Sequence, residues 1–198
     1  MKQLFLVMIG LLSSGWALAF DLDTLAAQLA DPAVVRGEFV QEKHLRGLAQ
    51  PLLSRGTFTL SHEEGLLWQL QHPIQQYYRI NTQGIARQVG QRWYIQPKQT
   101  VATRQSRLFL DVLAGDYHAL ARDFNIELSG DATHWQLHLT PRSILIAKIF
   151  DHIEIQGSRL VDRIELNETQ GDRSVLRLQG STTDHSLTST EQADFAAD

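Results

Sequence analysis

The chain of 198 residues reads as mainly β with inserted helices, an α+β chain built on an antiparallel sheet. Three observations predict this. Apolar residues alternate with period two in short runs, and turn residues separate the runs every eight to ten positions. Between residues 103 and 124 the apolar spacing changes to that of a helix. No internal repeat, low-complexity tract or linker interrupts the pattern, and the length suits one core.

The first nineteen residues stand apart. Lys2 is followed by an apolar run over residues 4–12 and by Ala17-Leu18-Ala19, an A-x-A cleavage site. That is the pattern of a secretory signal, with an apolar run too short to span a bilayer. The expected domain therefore covers residues 20–198. It has no cysteine, so an exported chain of this kind relies on its core rather than on disulfides. The usual bacterial lipid attachment point is missing as well, and a soluble, untethered protein is expected.

Residues 21–35 are predicted as a short helix, capped by Asp21 or Asp23, with Leu22, Leu25, Ala26 and Leu29 at helical spacing. Asp31-Pro32 ends or interrupts it, because the residue before proline is driven out of the helical region. Strands are expected at 37–43, 54–61 and 66–71, with Gly65 and Glu63-Glu64 turning the chain between the last two. A meander follows over 75–81, 85–89 and 92–96. Leu108, Phe109, Val112 and Leu113, then Tyr117, Leu120 and Ala121, predict two short helices broken at Gly115-Asp116. Strands resume at 124–128 and 135–139. Residues 141–150 read as a short helix or loop, and strands are expected at 152–156, 160–167 and 174–179. Thr188-x-x-Glu191 is a capping box for a terminal helix.

Chemistry is sparse. Net charge is −4 for the chain and becomes −5 without Lys2, with both signs interspersed. Nucleic acid, which selects a clustered basic face, is not an expected partner. There is no nucleophile elbow, P-loop, zincin helix or thiol, so no catalysis, metal or cofactor is expected. His134 and His138 lie roughly 13 Å apart along a strand, too far to share one ion by themselves. Asp151 and His152 are adjacent in a strand and should point to opposite faces. The informative feature is one apolar sheet face that includes Phe58, Leu60, Trp68, Leu70, Trp93, Ile95, Ile126, Trp135 and Leu137. Either it is a filled core under the helices, or it is a partly empty interior that takes a lipid, and periodicity does not choose between the two.

Three stretches carry a resemblance. Residues 37–43 read G-x-F-x-Q-x-K, and a G-x-F strand follows at Gly56. Trp68 then stands shortly before Pro73. With the more weakly matching Trp93-Tyr94-Ile95-Gln96-Pro97, the chain resembles a divergent branch of the LolA-like family, the periplasmic carriers of outer-membrane lipoproteins. The resemblance implies an unclosed antiparallel barrel of about eleven strands with a helical lid. By it, Phe39, Phe58, Leu60, Trp68, Leu70, Trp93 and Ile95 would line a cargo cavity, and Ile126, Trp135 and Leu137 continue that face. The lid would come from Leu108, Phe109, Val112 and Leu113, with Ile144 and Leu145. The partners it implies are an acylated lipid or lipoprotein, an inner-membrane exporter and an outer-membrane acceptor, met by a monomer in transient contact with membranes.

One position departs from that pattern. Where lipoprotein carriers have an Arg-Pro pair that holds the lid, this chain has His62-Glu63. His62 is the candidate latch, with a solvated turn residue as the alternative, and the cargo is opened to another lipid, a pigment or a polyene. Two other functions fit the same fold: a sensor or adaptor module with a protein partner, and an enzyme acting on a hydrophobic small molecule.

Overall fold

The computed structural model describes residues 20–97 and 101–197; the signal segment expected over residues 1–19 lies outside them. Helix α1 (Leu22–Ala30) begins where the Asp21 carboxylate accepts from the Thr24 N–H at 2.8 Å, which satisfies one of the free N-terminal donors. It ends at Asp31, one residue before Pro32. Here the chain departs from the predicted helix over 21–35: Val34 and Val35 already belong to β1 (Val34–His44). These two β-branched residues pair with Ser61 and Leu60, and ladder bonds win over a helical turn that Pro32 has already broken.

Ten further strands follow: β2 (Leu52–Ser61), β3 (Gly65–His72), β4 (Gln76–Asn81), β5 (Gly84–Val89), β6 (Arg92–Ile95), β7 (Phe124–Asp131), β8 (His134–Pro141), β9 (Phe150–Gly157), β10 (Val161–Glu168) and β11 (Arg173–Asp184). They make one sheet of eleven strands in the order β6-β5-β4-β3-β2-β1-β11-β10-β9-β8-β7, antiparallel at every step. Each half is a run of hairpins, and the two halves meet where β1 pairs with β11. β6 and β7 are the two edges, so the sheet is not closed. It coils enough for both halves to share one apolar core.

Helices α2 (Val101–Leu113) and α3 (Tyr117–Leu120) lie in the connection between the two edge strands. α4 (Ile144–Ala147) bridges β8 and β9, and α5 (Ser189–Ala196) closes the chain. The Thr188–Glu191 capping box forms as the sequence predicts. α5 packs on the outer face of the sheet. Arg36 holds Glu191 in a two-pronged pair at 2.7 and 2.6 Å, Phe195 is buried, and Arg79 caps the last carbonyls, those of Asp194, Phe195 and Ala197.

Candidate functional site

The inner face is seated by two interlocked G-x-F pairs. In the β1–β2 register Gly37 lies opposite Phe58 and Phe39 opposite Gly56. A Cβ at Gly37 would approach the Phe58 ring to 2.7 Å, and one at Gly56 would approach the Phe39 ring to 2.8 Å and run into the Gln69 carbonyl. Each glycine makes room for the other strand's aromatic. The Phe39 ring then stacks on Trp68 at 3.8 Å between centroids, with Phe58 at 6.3 Å. Phe39, Phe58, Leu60, Trp68, Trp135 and Leu137 are buried in one cluster, and Leu70 and Ile126 pack partly buried against it.

Helix α2 fills the space above this floor. Leu108, Phe109, Val112 and Leu113 are buried in the same cluster, and the Phe109 ring sits 5.7 Å from that of Trp68. Between α1, α2 and the sheet the interior is packed, with residual voids of only about 10 Å³. Two larger spaces flank α2. One, of about 490 Å³, lies at the unclosed seam, with Ile85, Leu108, Leu120, Phe124, Ile146 and Phe150 as its apolar lining and Arg107, Asp111 and Asp123 as charged groups. The other, of about 250 Å³, runs beside Trp68, Leu70, Tyr78, Ile80 and Phe109, with Gln41, Gln76 and Gln105 among its polar lining.

The polar edge of α2 ties it to the sheet. Arg107 donates from Nη1 to the Asn81 carbonyl at 2.8 Å and pairs through Nε with the Asp111 carboxylate, one turn on, at 3.4 Å. Burial pushes the Asp111 carboxyl up to about 6; Asp116 adds to the shift, while Arg107 and Arg122 oppose it. Sequence reading missed this pair, although an Arg and an Asp at i,i+4 on an amphipathic stretch were a readable signal.

Several expected site residues sit elsewhere. The β5–β6 register sets Trp93 opposite Gln88 and Ile95 opposite Ala86, on the outer face shared with Arg79 and Leu67. Trp93 is covered there by the Arg79 guanidinium at 5.1 Å, and Ile95 is 77% exposed. Neither lines the interior. In α4 the inward residue is Ile146. Leu145 borders the seam cavity but is largely exposed, and Ile144 faces solvent at 78% exposure. His62 does hold a helix carbonyl, that of Leu29 at 3.1 Å. It thus tethers the end of α1, not α2 or α4. Asp151 and His152, expected to point apart, meet at 2.8 Å; Asp151 stands near the start of β9, where its carboxylate can swing round the strand. Among the described residues no group of three His, Asp or Glu side chains is placed to hold a metal ion, and no helix is long and apolar enough to cross a membrane.

The fold is similar to that of the LolA superfamily protein NE2245 from Nitrosomonas europaea, at a TM-score of 0.53 and 9% identity, over 87% of this chain and 97% of that one. The Pseudomonas aeruginosa MucA/MucB complex aligns at a TM-score of 0.47 and 16% identity, over 89% of this chain and 59% of that one. LprF from Mycobacterium bovis aligns at 0.36 and 10%, over 84% and 94%. Identities this low speak to the fold alone, and the last two scores carry no argument. No curated protein sequence matches the chain. The family model described as outer membrane lipoprotein carrier protein LolA-like matches residues 14–196, and the chain, with its unclosed eleven-stranded sheet folded over α2, belongs to that family.

Proposed function

We propose that this protein is a periplasmic carrier, exported by residues 1–19 and folded as one domain over 20–198. It buries acyl chains of a lipid or lipoprotein beside α2 and conveys them towards the outer membrane without covalent chemistry. An inner-membrane exporter loads it and an outer-membrane acceptor unloads it. The observation that carries this reading is the pair of cavities, about 490 and 250 Å³, on either side of a helix whose apolar face is buried in the sheet.

The volumes bear on capacity. An apolar cavity of about 150 Å³ takes one benzene, or about 25 Å³ per carbon. On that scale the seam cavity of about 490 Å³ holds about twenty carbons, one acyl chain. A chain of about sixteen carbons loses about 13 kcal/mol of transfer free energy when it leaves apolar surroundings for water. A carrier must replace most of that burial and still release the chain. A cargo with several chains needs more room, and α2 is the element that would yield it. Leu108, Phe109, Val112 and Leu113 would exchange their contacts with the sheet for contacts with lipid, and only that difference in contacts can move the helix.

Native mass spectrometry of the periplasmic protein, with organic extraction of what is bound, tests the reading. One lipid, pigment or acylated peptide per chain is the expected result. An empty protein that also takes up no added palmitate or lipopeptide would overturn it in favour of a filled core. Ile146→Asp should weaken palmitate binding about tenfold or more, since it sets a charge in the apolar lining of the seam cavity, whereas Trp93→Ala, on the outer face, should leave it unchanged.

A further inference from the structure

Most of the exposed aliphatic side chains gather at one end of the sheet. Leu48, Leu52, Leu53, Ile74, Ile144 and Leu145 are each about half exposed or more, from 49% at Leu53 to 78% at Ile144. They come from separate connections, β1–β2, β3–β4 and β8–β9, which register and hydrogen bonds bring to one rim. Lys43 pairs with Leu52, and Arg55 with His72 at the mouth of the β3–β4 turn. The Arg46 N–H donates to Asp172 at 2.9 Å. From the same β10–β11 turn, Thr169 donates to the Ile149 carbonyl at 3.0 Å and the Ala147 carbonyl at 2.9 Å, either side of the α4 exit.

Charge follows the same division. Arg46, Arg55, Arg92 and Lys148 are exposed at this end and make no ion pair with a described residue. Its acids are fewer: Glu168 is paired with Lys43 at 3.8 Å, which leaves Asp123, Asp151 and Asp172 against these four cations and the likewise exposed Arg142. The opposite end exposes Glu63, Glu64 and Asp131, which make no ion pair with a described residue, and Asp184, which Arg36 holds at 3.3 Å. A chain of net charge −4 therefore presents a basic, aliphatic rim at one end and an acidic rim at the other.

We propose that the basic rim docks this protein on an anionic lipid bilayer. Aliphatic tips on separate turns, interspersed with unpaired Arg and Lys, suit insertion among lipid headgroups and attraction to their phosphates. A protein interface of comparable reach would centre on aromatic anchors, and the exposed apolar residues that end the strands of this rim are these six with Val89, opposite Arg92 in the β5–β6 turn, all of them aliphatic. The rim includes Leu145, which also borders the seam cavity, so docking turns that wall of the cavity towards the bilayer. The proposal goes beyond the carrier reading and does not depend on what the cavity holds.

Co-sedimentation of residues 20–198 with vesicles tests it, using phosphatidylglycerol mixed with phosphatidylcholine against phosphatidylcholine alone, at low and high salt. The expected result is binding to the anionic vesicles that weakens with salt. The triple variant Leu48→Asp, Ile74→Asp, Ile144→Asp should lose about tenfold or more of it, and Arg46→Ser or Lys148→Ser about fivefold each. Ile95→Asp, exposed but off this rim, should bind as the parent does. All the substituted side chains are exposed, so melting curves should be unchanged, and a variant that melts early is replaced by the serine version. No partition into anionic vesicles, or equal partition of parent and triple variant, overturns the proposal. So does self-association that the triple variant abolishes in the absence of vesicle binding, which would assign the rim to a second copy of the chain.

Discussion

Replacing Asp111 by asparagine isolates the electrostatic cost of docking α2. The two side chains have nearly the same shape, and the Asp111 side chain is only 16% exposed. Burial raises its pKa to about 6, against about 3.9 in an unfolded chain. Between those two values the native state holds the proton more tightly than the unfolded state does. Stability from this group therefore falls as pH rises from about 4 to about 6, and the full penalty stands above that window. Two units correspond to about 3 kcal/mol, and solvent screening at the exposed edge trims that slightly. The neutral amide carries no such penalty, so Asp111→Asn should match the parent near pH 4 and exceed it by about 2–3 kcal/mol at pH 7. For a domain of this size that is a rise of about 5–10 °C in melting temperature. Urea unfolding followed by circular dichroism from pH 4 to pH 8 measures the difference. Because the penalty is relieved when α2 lifts and Asp111 meets water, the variant should also take up a fluorescent fatty acid more slowly above pH 6. A stability difference that does not change between pH 4 and pH 7, or a variant less stable at pH 7, would refute the reasoning. The ion pair with Arg107 would then outweigh the cost of burying the carboxylate.

Three other substitutions probe separate links. Gly56→Ala should destabilise the fold by about 2 kcal/mol or more, because the methyl group meets the Phe39 ring and the Gln69 carbonyl; Gly47→Ala, with nothing within 4 Å, is the neutral control in the same melts. Arg36 and the Thr188 capping bonds hold the Glu191 carboxyl down at about 2, so its contribution is present above about pH 4.5 and lost as the solution is acidified towards 2. Glu191→Gln should remove about 1–3 kcal/mol at pH 7, allowing for solvent screening, and free α5, read as faster amide exchange over residues 189–196. His62→Ala should cost about 1 kcal/mol through the lost bond to the Leu29 carbonyl and loosen α1, with palmitate uptake unchanged because that bond does not reach α2.

Most of the element order was legible because each strand is a hairpin partner of its neighbour, and alternation with turn chemistry is a local signal. The G-x-F motifs at 37–39 and 56–58 were legible as strands. That they interlock, each glycine beneath the other's phenylalanine, depends on a register set by the whole β1–β2 pair. Leu67 shows the limit from another side. Alternation assigned Trp68 and Leu70 to the apolar face, yet Leu67 between them is buried as well, on the face that α5 covers. An unbroken Leu66-Leu67-Trp68 run is what a strand covered on both sides looks like.

The sequence by itself determined most of the succession of strands and helices, the cap at Thr188, the family, and the apolar face of α2. These follow from periodicity and short-range chemistry, which neighbours in the chain settle among themselves. Only the tertiary structure decided which face of each strand turns inward, and so moved Trp93 and Ile95 out of the interior. It decided too that α2 lies buried within the sheet with a cavity on either side, that His62 reaches α1, and that aliphatic tips from separate turns share one basic rim. Alternation defines two faces without naming either, and helical spacing defines a stripe without its depth. Which side is dry depends on how eleven strands coil, a property of long-range pairing that no short stretch carries.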